Sequence, residues 1–440
     1  MIELKEALQI VLDSAKPLGT ERVELSEALD RILAEDVTAD MDMPPFDKAT
    51  VDGYACRRAD LGNALTVIET IAAGAVPARV VGPNQCAKIM TGAAIPQGAD
   101  CVVMIEQTER VLSDRGEGVS PLRREAILAS SHPRAPHLDA DVQGQDALAT
   151  KNKGKMPSPR GEGAIRFTGA GTADNIFRKA TDIRVGQVVL PKGGRISPPH
   201  VAVLASVGCV QPLVARRPKV GVIASGDELV PPTARPGPSQ IRNSNGSQLM
   251  AQLADMGLKA RDYGIVKDVA SDIDAMLKTA LAENDVVIIS AGVSVGDFDL
   301  VPAALQRNGV KLRFEKIAVK PGKPTVFGVW ERGYCFGLPG NPVSTFVVFE
   351  LLAKPFLYRL MGHDYRPRYV QMRLDETVTR KDSERQCWIP MRITSEETVK
   401  PVQYHGSAHL SALCDAGGLV PMEIGVMNIG QGTPVRVRLL

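Results

Sequence analysis

Between residues 219 and 360 the chain alternates apolar runs with helical spacing, and this alternation restricts the fold more than any other feature. Val220-Gly221-Val222-Ile223-Ala224 is apolar from end to end. The pattern predicts a helix over 247–256, a strand over 259–266, a helix over 270–282 and a second apolar strand over 285–290. Strands with no polar face, alternating with helices, belong to a parallel sheet covered on both sides. Ligands of such sheets bind beyond the carboxyl ends of the strands.

Two strand ends carry the same kinds of residue. The first runs into Ser225-Gly226-Asp227-Glu228, and the second runs through Ser290 and Ala291 into Gly292-Val293-Ser294-Val295-Gly296-Asp297-Phe298-Asp299. Glycines and hydroxyls stand where backbone must approach a ligand, and carboxylates follow. Hard oxygen donors of this type suit Mg²⁺, which is held by one or two carboxylates together with phosphate and water. Glu228 and Asp299, ending neighbouring strands, are the expected metal ligands. Next comes a basic stretch, Lys316-Ile317-Ala318-Val319-Lys320-Pro321-Gly322-Lys323-Pro324, whose three lysines can neutralise phosphate or another oxyanion. Gly337-Leu338-Pro339-Gly340-Asn341-Pro342-Val343-Ser344 follows. Asn341 is placed to cap an apolar helix over 343–352, with Pro342 at its first position. A helix start offers open amides and a positive dipole end to an anion. The whole segment is therefore expected to hold a phosphorylated, metal-bound ligand.

Elsewhere Leu4, Leu8, Val11, Leu12 and Ala15 share one helical face, and a second helix is expected over 26–33 with Ser26 as its cap. Short β runs between 65 and 108, split by Gly and Pro, predict a small β domain. Residues 113–166 are rich in Gly, Ser, Pro, Arg and Lys and lack apolar periodicity, so a disordered or solvated insertion is expected there, with a short helix near 127–129. Beyond Pro367, strands over 369–374, 388–393 and 435–439 predict a small barrel.

A formal net charge of +2 and 4% aromatic residues supply neither the field nor the stacking surface of a nucleic-acid binder. No apolar run approaches the roughly 20 residues that span a bilayer, and the N-terminus lacks a signal-peptide pattern. Seven scattered cysteines without a Cys-x-x-Cys pair fit thiols of a reducing compartment. A cytoplasmic protein is expected. There is no Walker loop, no His-Glu-x-x-His, no zinc spacing and no Gly-x-Ser-x-Gly elbow. His200, His363, His405 and His409 are unclustered and read as structural.

In order and spacing, the segments 44–55, 90–100, 225–229, 290–299, 316–324 and 337–344 resemble the MoeA family of molybdopterin molybdenumtransferases, which includes the C-terminal part of gephyrin. The resemblance covers residues 1–112 and 167–440. It implies a multidomain fold of α/β plus β class with four parts. Residues 1–45 with 167–215 form an N-terminal linker and dimerisation domain, and 46–166 a small β domain carrying the insertion. Residues 216–362 form a central parallel-sheet α/β molybdopterin-binding domain, and 363–440 a C-terminal β-barrel. It further implies transfer of molybdenum from molybdate to adenylylated molybdopterin, with release of AMP and dependence on Mg²⁺. The implied assembly is an elongated homodimer whose site joins one subunit's α/β domain to the other's N-terminal loop. The molybdopterin adenylyltransferase and recipient molybdoenzymes are implied partners; nucleic acid and membrane are not.

Carried over residue by residue, catalytic roles fall on Asp52, Glu228, Asp268, Asp299, Lys316 and Lys320. Substrate contacts fall on Thr91, Ser225, Gly226, Asp227, Ser294, Gly296, Lys323, Pro339, Gly340, Asn341, Pro342 and Ser407. A non-catalytic scaffold of the same fold is the alternative, and the intact acids and lysines favour the enzyme. The chain departs from the family pattern in three places. Ala291 stands at a usual second glycine, Ala49-Thr50-Val51 replaces Ser-Ala-Met, and Asn175-Ile176-Phe177-Arg178-Lys179-Ala180 departs from Asn-Ile-Arg-Arg-x-Gly.

Overall fold

The structure, a computed structural model, describes residues 1–111, 163–291, 300–403 and 406–440. The chain forms two compact units, Ala39–Gln187 and Met1–Thr38 with Val188–Leu440.

The smaller unit is built on a six-stranded sheet in the order Cys101–Met104, Gly53–Cys56, Gln85–Ile89, Ala64–Ile71, Ala164–Phe167, Thr108–Val111. Successive side chains of a strand point to opposite faces, and here both faces are buried. Tyr54, Cys56, Leu65, Cys86, Val103 and Ile165 pack together on one side, and Ala55, Ile71, Ala87, Ile89 and Val102 on the other. The expected insertion therefore cannot reach residue 166. Ala164, Ile165 and Arg166 pair with both Ala64–Ile71 and Thr108–Val111, and Ile165 is in the core. The remainder of that stretch, including the helix expected near 127–129, lies outside the described residues. Val111 is paired directly with Ala164, so a tight turn can join these strands. Replacing residues 112–162 by a short hairpin turn is expected to leave thermal stability unchanged or raised. Carrying the deletion through Arg166 is expected to remove a strand and unfold the unit, as read by circular dichroism melting.

The larger unit contains the predicted α/β sheet with an addition. Its order is Ala260–Val266, Val220–Ser225, Val286–Ser290, Gly333–Leu338, Pro324–Trp330, Lys311–Lys316. The first four strands are parallel, while Pro324–Trp330 and Lys311–Lys316 run antiparallel at one edge. Val220–Ser225, Val286–Ser290 and Gly333–Leu338 are buried along their whole length, as expected of strands covered on both faces. Phe327, Phe336 and Phe356 form an aromatic centre, with ring centroids 5.0–5.7 Å apart. Ala7 and Val11 of the N-terminal helix Leu4–Ser14 join the same core. The helix expected over 26–33 is not formed. Leu25–Glu27 makes a single 3₁₀ turn, Asp30 has φ 63°, and the Asp30 and Leu33 amides donate to Ile196 and Gly194 instead of to local carbonyls.

The C-terminal strands close into a five-stranded barrel. Gln386–Ile393, Thr398–Pro401, Tyr369–Leu374, Pro434–Leu439 and Gly418–Met422 pair in turn, and the last returns to the first. Met391, Val399, Val420 and Val437 fill it. Barrel and sheet are joined in two ways. Val319–Lys320 pairs in parallel with the barrel residues Gln386 and Cys387. Glu350, only 5% exposed within the π-helical turn Phe349–Ala353, receives hydrogen bonds from Lys354 (3.0 Å) and Gln252 (3.2 Å). Arg438 of the barrel, 3% exposed, lies 3.9 Å from the Glu350 carboxylate and donates to the Glu350 carbonyl. No described helix is long and apolar enough to cross a membrane.

Candidate functional site

A cleft of about 650 Å³ lies beyond the carboxyl ends of Val220–Ser225, Val286–Ser290 and Gly333–Leu338. One wall follows the first of these strands. Its backbone turns at Gly226, where φ is +154°. A Cβ at that position would stand 2.6 Å from a Glu228 carboxylate oxygen, so glycine lets the carboxylate fold back over the turn. Glu228 is exposed and lines the cleft. Its neighbours are committed internally: the buried Ser225 hydroxyl donates to Asp268 Oδ1 (2.5 Å), and the Asp268 amide donates to Asp227 Oδ1 (3.3 Å). Asp227 and Asp268 thus shape the turn that carries Glu228.

The opposite wall is Pro339-Gly340-Asn341-Pro342. Thr345 Oγ1 donates to the Pro339 carbonyl at 2.5 Å and its amide to the Asn341 carbonyl at 3.0 Å, which holds the loop in place. Asn341 occupies the capping position, but its side chain makes no capping hydrogen bond, and the helix Pro342–Val348 is only seven residues long. Its open amide is also taken, because Val343 N donates to the carbonyl of Ser407 from the barrel at 3.1 Å. Ala408 and Leu410 complete that rim. The floor contains Ser290 and Ala291. Asn245 Nδ2 donates to Ser290 Oγ (2.8 Å) and to the Gly340 carbonyl (2.7 Å), tying floor to wall.

Several expected residues lie elsewhere. Asp299, Ser294 and Gly296 fall outside the described residues. Lys316 and Lys323 end and precede strands of the antiparallel edge, and Lys320 pairs with Asp382 of the barrel at 3.6 Å. None of the three lysines lines the cleft, although Pro324 does. Asp52 and Thr91 belong to the smaller unit. There Asp52 Oδ1 accepts from the Thr91 amide (2.6 Å) and hydroxyl (2.7 Å), and these bonds, the amide's first, hold its carboxyl below the usual carboxylate range. Among the described residues no group of three or more His, Cys, Asp or Glu is placed to hold a metal. The oxygen donors that are present, the Glu228 carboxylate above all, have the chemistry that Mg²⁺ takes.

The sequence reading missed Arg242, Asn243, Ser244 and Asn245, which all line the cleft. They open the helix Ser244–Asp255, whose cap is Asn243 (Oδ1 accepts from Gly246 N, 2.9 Å). The signal was an Asn ahead of a helix.

The chain resembles known proteins along its whole length. The family model for the MoeA N-terminal region (domain I and II) matches residues 2–208, and that for a probable molybdopterin binding domain matches residues 221–359. A molybdopterin molybdenumtransferase of Bacillus subtilis (strain 168) is 32% identical over 453 residues, covering 100% of this chain and 94% of the relative. This chain belongs to the molybdopterin molybdenumtransferase family. A molybdopterin molybdenumtransferase of Staphylococcus aureus (strain Mu50) is also 32% identical, covering 100% and 95%. The crystal structure of a molybdopterin biosynthesis MoeA protein from Pyrococcus horikosii superposes with a TM-score of 0.74 at 30% identity, covering 100% of this chain and 99% of that one. Within this chain, the cleft walls from Ala224 to Pro342 fall inside the matched molybdopterin binding domain.

The departures from the family pattern have a physical price in the backbone. Ala291 has φ +80° and Ala180 has φ +58°, both in the left-handed region that favours glycine. That conformation costs an alanine roughly 1–2 kcal/mol, against about 0.4–1 kcal/mol of unfolded-state entropy that glycine adds. Ala180→Gly and Ala291→Gly are therefore each expected to stabilise the protein by about 0.5–1 kcal/mol, measured by urea unfolding.

Proposed function

We propose that this protein inserts molybdenum from molybdate into adenylylated molybdopterin, releasing AMP and yielding the molybdenum cofactor. The observation that carries the reading is the position of the cleft. It lies at the carboxyl ends of the parallel strands, with a carboxylate, a guanidinium and a hydrogen-bonding floor, in a chain that matches molybdopterin molybdenumtransferases from end to end. The substrate arrives already adenylylated, which accounts for a nucleotide-releasing enzyme without a Walker loop. In this reading Glu228, with Asp299, holds Mg²⁺, which when bound neutralises charge that develops on phosphate oxygens. Ser225, Asp227 and Asp268 keep the Glu228 turn in shape. Pro339, Gly340, Asn341 and Pro342 enclose the pterin and its phosphate. Lys316, Lys320 and Lys323 meet anionic atoms that extend past Pro324. Asp52 with Thr91, and Ser407 at the rim, belong to the same reaction, carried out by a cytoplasmic homodimer.

Incubating the purified protein with adenylylated molybdopterin, Mg²⁺ and molybdate tests this directly. AMP is expected to appear only when molybdate is present. Absence of molybdate-dependent AMP would overturn the assignment.

A further inference from the structure

Among the described residues lining the cleft, Arg242 is the one positively charged side chain. Its main chain is fixed relative to Glu228. Ile241–Arg242 pairs in parallel with Leu229–Val230, the Ile241 amide donates to the Glu228 carbonyl (2.8 Å), and the Asn243 amide donates to the Val230 carbonyl (2.9 Å). The side chain is exposed, and its Nε donates to the Ala234 carbonyl at 3.0 Å. Neither terminal nitrogen has a partner among the described residues. The guanidinium is thus anchored at one donor and open at its fork, the arrangement that grips two oxygens of one phosphate.

The surroundings point the same way. Arg242 immediately precedes the capped start of the twelve-residue helix Ser244–Asp255, whose dipole adds positive potential. Beside it Asn245 is fixed in orientation, since the Gly340 carbonyl can only accept and must face Nδ2. Its Oδ1 is buried with no partner, although buried polar atoms are normally satisfied. Glu228 lies on the same cleft, and no ion pair joins it to Arg242.

We propose that Arg242 is a substrate-binding residue that clamps the phosphoanhydride of the ligand, a role the three lysines do not fill from their positions outside the cleft. The inference rests on reading the cleft as the site of a phosphorylated ligand. It assigns Arg242 to ground-state binding, so its loss weakens affinity more than turnover. Arg242→Lys keeps the charge and loses the fork.

The test compares the full-length wild type with Arg242→Ala and Arg242→Lys. Binding of inorganic pyrophosphate is measured by isothermal titration, and molybdate-dependent AMP release by steady-state kinetics. Arg242→Ala is expected to weaken pyrophosphate binding and raise KM by about 10- to 100-fold, the worth of one bidentate charged contact. Its kcat should stay within about threefold of wild type, and Arg242→Lys should fall between the two. Because the side chain is exposed, melting temperatures should coincide. Pyrophosphate binding to the alanine variant within about twofold of wild type, no binding to the wild type, or a fall in kcat at unchanged KM would each overturn the proposal. A wild type that releases no AMP but binds pyrophosphate through Arg242 would remove the transferase reading and leave the phosphate contact standing.

Discussion

Replacing Glu228 with Ala or Gln is expected to slow molybdate-dependent AMP release by about 10²- to 10³-fold, the range for removing one preorganised group that stabilises charge in a transition state. Glu228 is exposed on the cleft and makes no ion pair among the described residues, so folding should not suffer. Gly226→Ala should produce much of the same loss with the carboxylate still present, because the new Cβ would stand 2.6 Å from a Glu228 oxygen and push it aside. Rates should be followed across a Mg²⁺ titration. If Glu228 holds the metal, excess Mg²⁺ should recover part of the activity of Gly226→Ala and none of that of Glu228→Ala. Near-normal turnover in Glu228→Ala at saturating Mg²⁺ would sink the role assigned to this residue.

Glu350→Ala is expected to be the most destabilising of the substitutions considered, by roughly 3–5 kcal/mol, the cost of removing one member of a buried charge cluster. It would leave Arg438 and Lys354 without their carboxylate, and Arg438 Nε already lacks a partner. Burial pulls the Lys354 ammonium down, but the Glu350 carboxylate outweighs it and holds the group above the ordinary lysine value of 10.5. A raised folded-state pKa gives stability that is complete below the unfolded value and is lost as pH rises through the folded one. At neutral pH the full contribution is therefore present, and its loss should appear only on the alkaline side. In a Trp330→Phe background, Trp388, buried in the barrel, gives a local fluorescence signal for denaturant titrations. A variant whose Trp388 transition coincides with that of wild type would show that the cluster contributes nothing to docking the barrel.

The legible parts of the fold were those whose physics is local. Val220–Ser225 and Val286–Ser290 announce themselves because every side chain is buried and apolar or small. Tyr369–Leu374 was placed to the residue. Two failures have their cause in contacts between distant residues. Asp30 and Leu33 bond to carbonyls more than 160 positions away, which no helical pattern over 26–33 reveals. Ala164–Phe167 looks like the end of a polar tract and is a strand because Ile165 fits beside Leu65. The helix over 244–255 opens with Ser-Asn-Gly-Ser, which has no apolar spacing, so its start was placed three residues late and the cleft residues Arg242 to Asn245 were passed over. The lysines had the right chemistry for an anion, but they do not line the cleft, and the antiparallel edge strands beside them were not disclosed by the alternating pattern.

The hydrogen bond from Val343 N to the Ser407 carbonyl has one more consequence. It caps the helix behind the cleft wall and fastens the barrel with the same atoms, while Ala408 and Leu410 form the rim above. Cleft occupancy and barrel docking are therefore coupled equilibria, and the coupling free energy is the same in both directions. A ligand that binds only the docked form, supplied at about 100 times its Kd, adds about 2.7 kcal/mol to docking. The barrel thus reports from a distance on whether the cleft is filled, and substitutions in its remote strands can retune affinity without touching any group that meets the ligand.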